Sequence, residues 1–282
     1  MSRDGPIDVR ELLVCPACHG HLEWQEAEVL CPACPETYPL IDGIPFMVGG
    51  GEREATGPGQ FDAIAPVYDH TLPPHVTEHY LNKRVKFIGE HVKRGPVLDV
   101  GGGTGVVARR LLDAGYQVVG TDASLGMLRV YQSRTSTVPV GALAHALPFR
   151  SQTFQGVVCV ALLHHIAQPD AVRATLSEMY RVLLQGGSLV IWDHNPANPY
   201  WPVLMKKVPQ DSGQERLIPM REILQGLRAL GCASVEVYKK GFVPDFAPPA
   251  LLPLVQWLEQ ALEAMPLVRG LAAHNVVVVR KE

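Results

Sequence analysis

From residue 61 onward, short apolar runs alternate with segments whose apolar residues recur every three or four positions. The runs 97–100, 118–122, 138–143, 156–160 and 188–193 predict strands, rich enough in Val, Leu and Ile to be covered on both faces. Segments 104–114, 124–132, 170–184 and 219–230 carry helical spacing. Such alternation predicts an α/β fold, a doubly wound and mostly parallel sheet with helices on both sides. Runs 235–238 and 276–279 add two late strands and bring the sheet to seven. The last is four consecutive valines, a pattern of full burial.

The pattern is different before residue 49. Residues 1–48 are dense in Pro and Cys and form a first, small unit. Residues 49–59, Gly-Gly-Gly-Glu-Arg-Glu-Ala-Thr-Gly-Pro-Gly, have the composition of a flexible linker, and 60–282 form the main body. Two stretches of the body, 196–219 and 241–270, fit the alternation poorly. The second carries Phe242, Phe246, Leu251, Leu252, Leu254 and Val255. An insertion at the end of such a sheet suits a lid over an apolar acceptor. Apolar residues at helical spacing also serve simply as core cover.

Candidate chemistry starts at Val97-Leu98-Asp99-Val100-Gly101-Gly102-Gly103-Thr104-Gly105. A strand ends, and Gly101, Gly103 and Gly105 open a helix, as needed where backbone must turn sharply and lie against a ligand. The next strand delivers Asp122, followed by Ala123; an acid there can bind the two hydroxyls of a ribose. Asp99 decides which nucleoside. A carboxylate at this turn would repel a pyrophosphate by roughly 4 kcal/mol at 4 Å and an effective dielectric near 20. It would welcome an ammonium and a sulfonium. Val106 also stands where the dinucleotide pattern G-x-G-x-x-G needs its third glycine.

Cys15, Cys18, Cys31 and Cys34 read C-x2-C-x12-C-x2-C. Two such knuckles aim four thiolates at one tetrahedral ion, and four thiolates leave no open position, so the pattern predicts a structural zinc ribbon. Cys159, within a strand, and Cys232, after Gly231, read as packed thiols.

On the glycine turn and the two acids, the chain resembles the class I S-adenosylmethionine-dependent methyltransferases. Phe61-Asp62-Ala63-Ile64-Ala65-Pro66-Val67-Tyr68-Asp69 resembles the entry segment of the ubiquinone/menaquinone C-methyltransferases, which packs over the cofactor there and makes Tyr68 a candidate lid residue. Ala146-Leu147-Pro148-Phe149, Leu162-Leu163-His164-His165-Ile166 and Arg181 to Gly187 are similar to later motifs of that family. The resemblance implies that the two late strands form an antiparallel hairpin and that S-adenosylmethionine is the cofactor. Two positions depart from it. Leu143 stands where the family has an acid for the adenine amino group, leaving the backbone of Ala144 to read adenine, and Gln155 stands where it has Asp. Leu12 to Val48 resembles the small zinc-ribbon family that activates methyltransferases as a separate subunit, which implies a stabilising role or a protein contact. Ribosomal-RNA guanine methyltransferases also begin with a four-ligand ribbon.

His165, after the fourth strand, and His194, after the fifth, fall at the sheet edge where ligands bind. Together with Tyr68 they are the candidate catalytic bases; His164 reads as a capping or core histidine. Lys83, Arg84, Lys86, Lys93 and Arg94, interrupted by Glu90, read as a solvated helix face. The 282 residues carry a net charge of −3, which argues against nucleic acid as the main partner. The N-terminus is polar and no apolar run is long enough to span a bilayer, so a cytoplasmic protein is expected. The sequence thus predicts methyl transfer to a small or lipid-like acceptor. RNA methylation, and a non-catalytic cofactor-binding or docking role, are the alternatives.

Overall fold

The chain opens with an antiparallel four-stranded meander: β1 (Glu23–Trp24), β2 (Glu28–Leu30), β3 (Thr37–Ile41) and β4 (Ile44–Pro45). The computed structural model describes residues 7–50, 59–166, 168–208, 210–211 and 215–282. The first six residues of the small unit, most of the 49–59 linker, and residues 209 and 212–214 of the 196–219 insertion therefore lie outside the described residues.

The body is built on β5 (Pro96–Val100), β6 (Gln117–Asp122), β7 (Val140–Gly141), β8 (Phe154–Val160), β9 (Leu183–His194), β10 (Ser234–Lys240) and β11 (His274–Arg280). Their order in the sheet is β10-β11-β9-β8-β5-β6-β7, and only β11 runs against the others, pairing antiparallel with both β10 and β9. This is the doubly wound, mostly parallel sheet that the alternation predicts, closed by the antiparallel hairpin. The valine run explains itself in β11: Val277 and Val279 face one hydrophobic layer, Val276 and Val278 the other.

Helices α1 (Gln60–Ile64), α2 (Pro74–His91), α3 (Val106–Asp113), α4 (Leu125–Thr135), α5 (Pro169–Val182), α6 (Trp201–Leu204), α7 (Met220–Ala229) and α8 (Leu252–Ala264) complete the body. One layer takes Leu81, Phe87 and Ile88 from α2 and Val107, Ala108 and Leu111 from α3. The other takes Val172, Leu176 and Met179 from α5 and Ile223 and Leu227 from α7.

That second layer also contains Leu13, Cys15, Val29, Tyr38 and Met47. The N-terminal unit is thus seated in the same core as the sheet. It grips both ends of one loop of the body: the N–H of Met47 donates to Gly141 O at 2.7 Å, and that of Val14 to Pro148 O at 2.9 Å. Phe46 pairs with Gly141 so closely that a Cβ on the glycine would collide with the ring.

Three local expectations need correction. The strand expected over 138–143 is only Val140–Gly141, because Pro139 offers no donor and the chain then turns away from the edge. The helix expected over 170–184 stops at Val182, and β9 begins at Leu183, five residues before the predicted strand. The basic cluster is not one solvated face. Lys83 pairs with Glu259 at 2.6 Å, Arg94 lies over the Tyr116 ring, and Arg84 turns inward over Trp192. No helix among the described residues is long and apolar enough to cross a membrane.

Candidate active site

The carboxyl ends of β5, β6, β7 and β8 surround a cavity of about 400 Å³. Parallel strands deliver their loops to one edge, so residues far apart in sequence converge there. Gly101 and Gly103 line it from the β5 turn, Asp122, Ala123 and Ser124 from the end of β6, Leu143, Ala144 and His145 after β7, and Leu162, His165 and Ile166 after β8. At Gly103, φ is +54° and nothing lies within 4 Å of where a Cβ would stand, so the turn keeps bare backbone against open space.

The predicted glycines divide by role. Gly101 and Gly103 face the cavity, whereas Gly105 is not among its lining residues; a Cβ there would strike the Tyr131 ring at 2.8 Å. Gly120 makes room for the same ring. Asp122 braces the turn. Its Oδ2 accepts the N–H of Gly103 at 2.9 Å and its Oδ1 that of Ser124 at 2.9 Å. A carboxylate has about four acceptor positions, so these two donors leave it capacity for a hydroxyl. Burial raises its pKa against these donors.

Asp99 lies behind the turn and does not line the cavity. It is 2% exposed, and its Oδ2 has no hydrogen-bond partner among the described residues. Burial, then the charge of Asp122, pushes its pKa up to about 7.

The cover of the cavity comes from α1 and the turn after it. Phe61, Asp62 and Tyr68 line it, and Phe61 meets the His165 ring edge-on with centroids 5.0 Å apart. Two acids that the sequence reading passed over hold this cover. Asp62 Oδ1 accepts Ser124 Oγ at 2.8 Å and the N–H of Gly126 at 2.5 Å. Asp69 accepts Thr104 Oγ1 at 2.7 Å and Arg134 Nη2 at 2.6 Å. The F-D-x-x-A-x-x-Y-D segment was the signal that could have found both.

The cavity brings together two of the three candidate bases and leaves out the third. His165 and Tyr68 line the cavity; His194 does not. Its ring is stacked between His164, at 4.0 Å, and Trp201, at 3.6 Å, and burial drives its pKa far down. Burial and the neighbouring His164 pull His165 down to about 3, so its ring is neutral and one of its two nitrogens is an acceptor. Burial and the charge of Asp122 push Tyr68 up to about 12. His164 is a core residue, as the sequence suggests: its Nδ1 is 2.7 Å from Asp193 Oδ1, and this partner outweighs burial and raises its pKa. The ligand atoms of His164, Asp193 and His194 lie within 4.8 Å of one another, but His164 already pairs with Asp193 and its ring is stacked on that of His194 with the planes 15° apart.

None of residues 241–270 lines this cavity. The segment expected as its lid lies against α2 instead: Tyr80 donates to Val243 O at 2.8 Å, and Glu259 sits 2.9 Å from His79.

In the N-terminal unit the four predicted thiols converge. Their sulfurs all lie within 4.8 Å of one another, with Cys15–Cys34 at 3.6 Å and Cys18–Cys31 at 3.5 Å. Bonds of about 2.3 Å to a central zinc would place the corners of a tetrahedron about 3.8 Å apart, so the spacing suits one ion. Tyr38, fully buried, places its hydroxyl 3.2 Å from Cys15 Sγ.

The family model described as a methyltransferase domain matches residues 98–191, the span holding the glycine turn, Asp122 and His165. The solved structures agree with the topology. The S-adenosylmethionine-dependent methyltransferase of Thermotoga maritima superposes with a TM-score of 0.60 at 18% identity, covering 79% of this chain and 98% of that one. The fold is that of the class I methyltransferases. A methyltransferase-fold chain from the complex between a Haloferax volcanii methyltransferase activator and a methyltransferase gives a TM-score of 0.54 at 21% identity, covering 79% of this chain and 98% of that one. At these identities the likeness concerns the methyltransferase fold alone. The demethylmenaquinone methyltransferases of Renibacterium salmoninarum and Paenarthrobacter aurescens are each 35% identical to it, over 53% and 50% of this chain. The chain spans 65% and 56% of the length of these two relatives.

Proposed function

We propose that this protein transfers a methyl group from S-adenosylmethionine to an apolar, quinol-like acceptor. The observation that carries the reading is the cavity itself, in which Gly101, Gly103 and Asp122 are arranged at the carboxyl edge of the sheet. The similarity to demethylmenaquinone methyltransferases supports the class of acceptor.

The residues present fit the cofactor. Asp122 would hold the ribose hydroxyls, and the open face at Gly103 would take the part of the cofactor that lies against backbone. The backbone of Ala144 would read the adenine, since the side chain of Leu143 offers no polar group. When bound, the cofactor supplies a methyl group activated on a sulfonium. The chain's own part is to align the acceptor and keep water out. Phe61 and Tyr68 close the cavity, and neutral His165 offers a ring nitrogen that can hold the acceptor's hydroxyl by a hydrogen bond, although a ring pulled down to about 3 is a weak base.

We infer further that Cys15, Cys18, Cys31 and Cys34 hold one structural zinc ion. The support is the spacing of their sulfurs. Because the N-terminal unit grips Gly141 and Pro148, the ion would also steady the loop that carries Leu143 and Ala144. Calorimetric titration with S-adenosylmethionine tests the first half of the reading. Mass spectrometry of a prenylated naphthoquinol incubated with protein and cofactor tests the second, with gain of one methyl group expected. Cofactor binding without methylation of any quinol would overturn the acceptor assignment.

A further inference from the structure

Of the twelve large apolar side chains exposed among the described residues, eight fall between Phe246 and Leu271. That concentration is not the scatter of a solvated surface. Residues 246–268 contain only two charged side chains, Glu259 and Glu263, and both face the protein. Glu259 meets His79 at 2.9 Å and Lys83 at 2.6 Å; Glu263 meets Lys83 and, at 3.1 Å, Lys240. The opposite face of α8 carries Leu254, Trp257 and Leu258 into solvent, and Leu251 just before the helix joins them. A water-facing helix has the reverse arrangement, with hydrocarbon inside and charge outside. The inward ion pairs lock α8 against α2, so it cannot roll its apolar face under without breaking them.

We propose that this face docks on an anionic lipid bilayer. The inference deepens the reading of a lipid-like acceptor and rests on it for its purpose. Phe246 (72% exposed), Trp257 (63%) and Leu267 (95%) stand out from the surface, as side chains that enter the headgroup boundary do. Cations flank them. Arg269 is exposed at the end of the patch. Tyr200 packs edge-on against Phe246 with centroids 6.0 Å apart, and exposed Lys206 and Lys207 follow on the same segment. Basic residues beside an apolar face match anionic headgroups. The inner side of the patch packs on α2, which also reaches the end of β11: His75 of α2 bonds Ala247 O at 2.7 Å, and the ring of Tyr80, also on α2, lies 5.3 Å from that of His274.

The test is flotation of the full chain with vesicles of equimolar phosphatidylcholine and phosphatidylglycerol, and with phosphatidylcholine alone. Binding to the anionic vesicles is expected, weakening with salt. Leu254→Glu with Trp257→Glu should reduce it at least about tenfold. Lys206→Glu with Lys207→Glu should reduce it about fivefold per charge on anionic vesicles only. If the apolar variant fails to fold, quenching of tryptophan emission by brominated lipids, compared between the native chain and Trp257→Phe, reads the same contact. Flotation with neither vesicle, or flotation indifferent to the apolar variant, would overturn the proposal. So would self-association that this variant abolishes without any vesicle binding, which would give the face to a second copy. The assay contains neither cofactor nor acceptor, so its failure is distinct from failure of methyl transfer.

Discussion

The N–H of Gly103 donates to Asp122 Oδ2 at 2.9 Å, tying the turn after the first parallel strand to the end of the second. The bond orients the carboxylate at the cavity edge and fixes the turn against which a cofactor would lie. Asp122→Ala removes both this brace and the proposed ribose acceptor. Loss of at least about 1.5 kcal/mol of S-adenosylmethionine affinity is expected, roughly tenfold, measured by calorimetry. Unchanged affinity would remove Asp122 from the site.

Asp99 gives a pH-dependent prediction. Its folded pKa of about 7 lies above the unfolded value of about 3.9. Between these values the folded chain keeps a proton that the unfolded chain has released, so this group's contribution to stability declines as pH rises from about 4 to about 7. Asp99→Asn removes the charge at nearly constant shape. The cofactor-free variant should melt higher than the native chain at pH 8, with the advantage vanishing near pH 4. If the negative charge also attracts the cationic cofactor, affinity falls in the same variant. A melting curve that shows no such pH dependence would reject the assignment.

Removal of the zinc ion proposed for the four thiols should destabilise more than the N-terminal unit. Leu13 and Met47 share a core with the sheet, and the unit's backbone bonds bracket residues 141–148. Chelation, or Cys18→Ser with Cys31→Ser, should therefore lower the melting temperature of the whole chain and weaken cofactor binding. Gly141→Ala, which drives a Cβ into Phe46, should mimic this in part at a cost of about 1–3 kcal/mol. Zinc-free protein with full cofactor affinity would separate the two units functionally.

The two histidines should part company. His165→Ala should keep the fold and cofactor binding and lose at most about 100-fold in turnover, because a ring this hard to protonate is a weak base. His194→Ala opens the stack between His164 and Trp201 and should mainly lower stability. With His165 down at about 3, its titration should leave turnover flat between about pH 6 and 9. Full turnover in His165→Ala would leave alignment, or Tyr68, to carry the reaction.

The sequence by itself determined the sheet, the glycine turn and the convergence of four cysteines. These depend on local pattern: periodicity sets strand and helix, glycine spacing sets the turn, and paired C-x2-C knuckles set the thiol cluster. Only the tertiary structure decided which candidates face the cavity. His165 and His194 both follow strands at the same edge, yet one lines the cavity and the other is stacked in the interior, because side-chain direction depends on what packs around it. Asp99 and Gly105 likewise support the turn from behind, since Tyr131 comes from a separate helix to fill that side. The placement of 241–270 was settled by pairs between α2 and α8, whose partners lie far apart in sequence. Periodicity shows that a helix has an apolar face, but not that its charges are consumed inward and its hydrocarbon left outside.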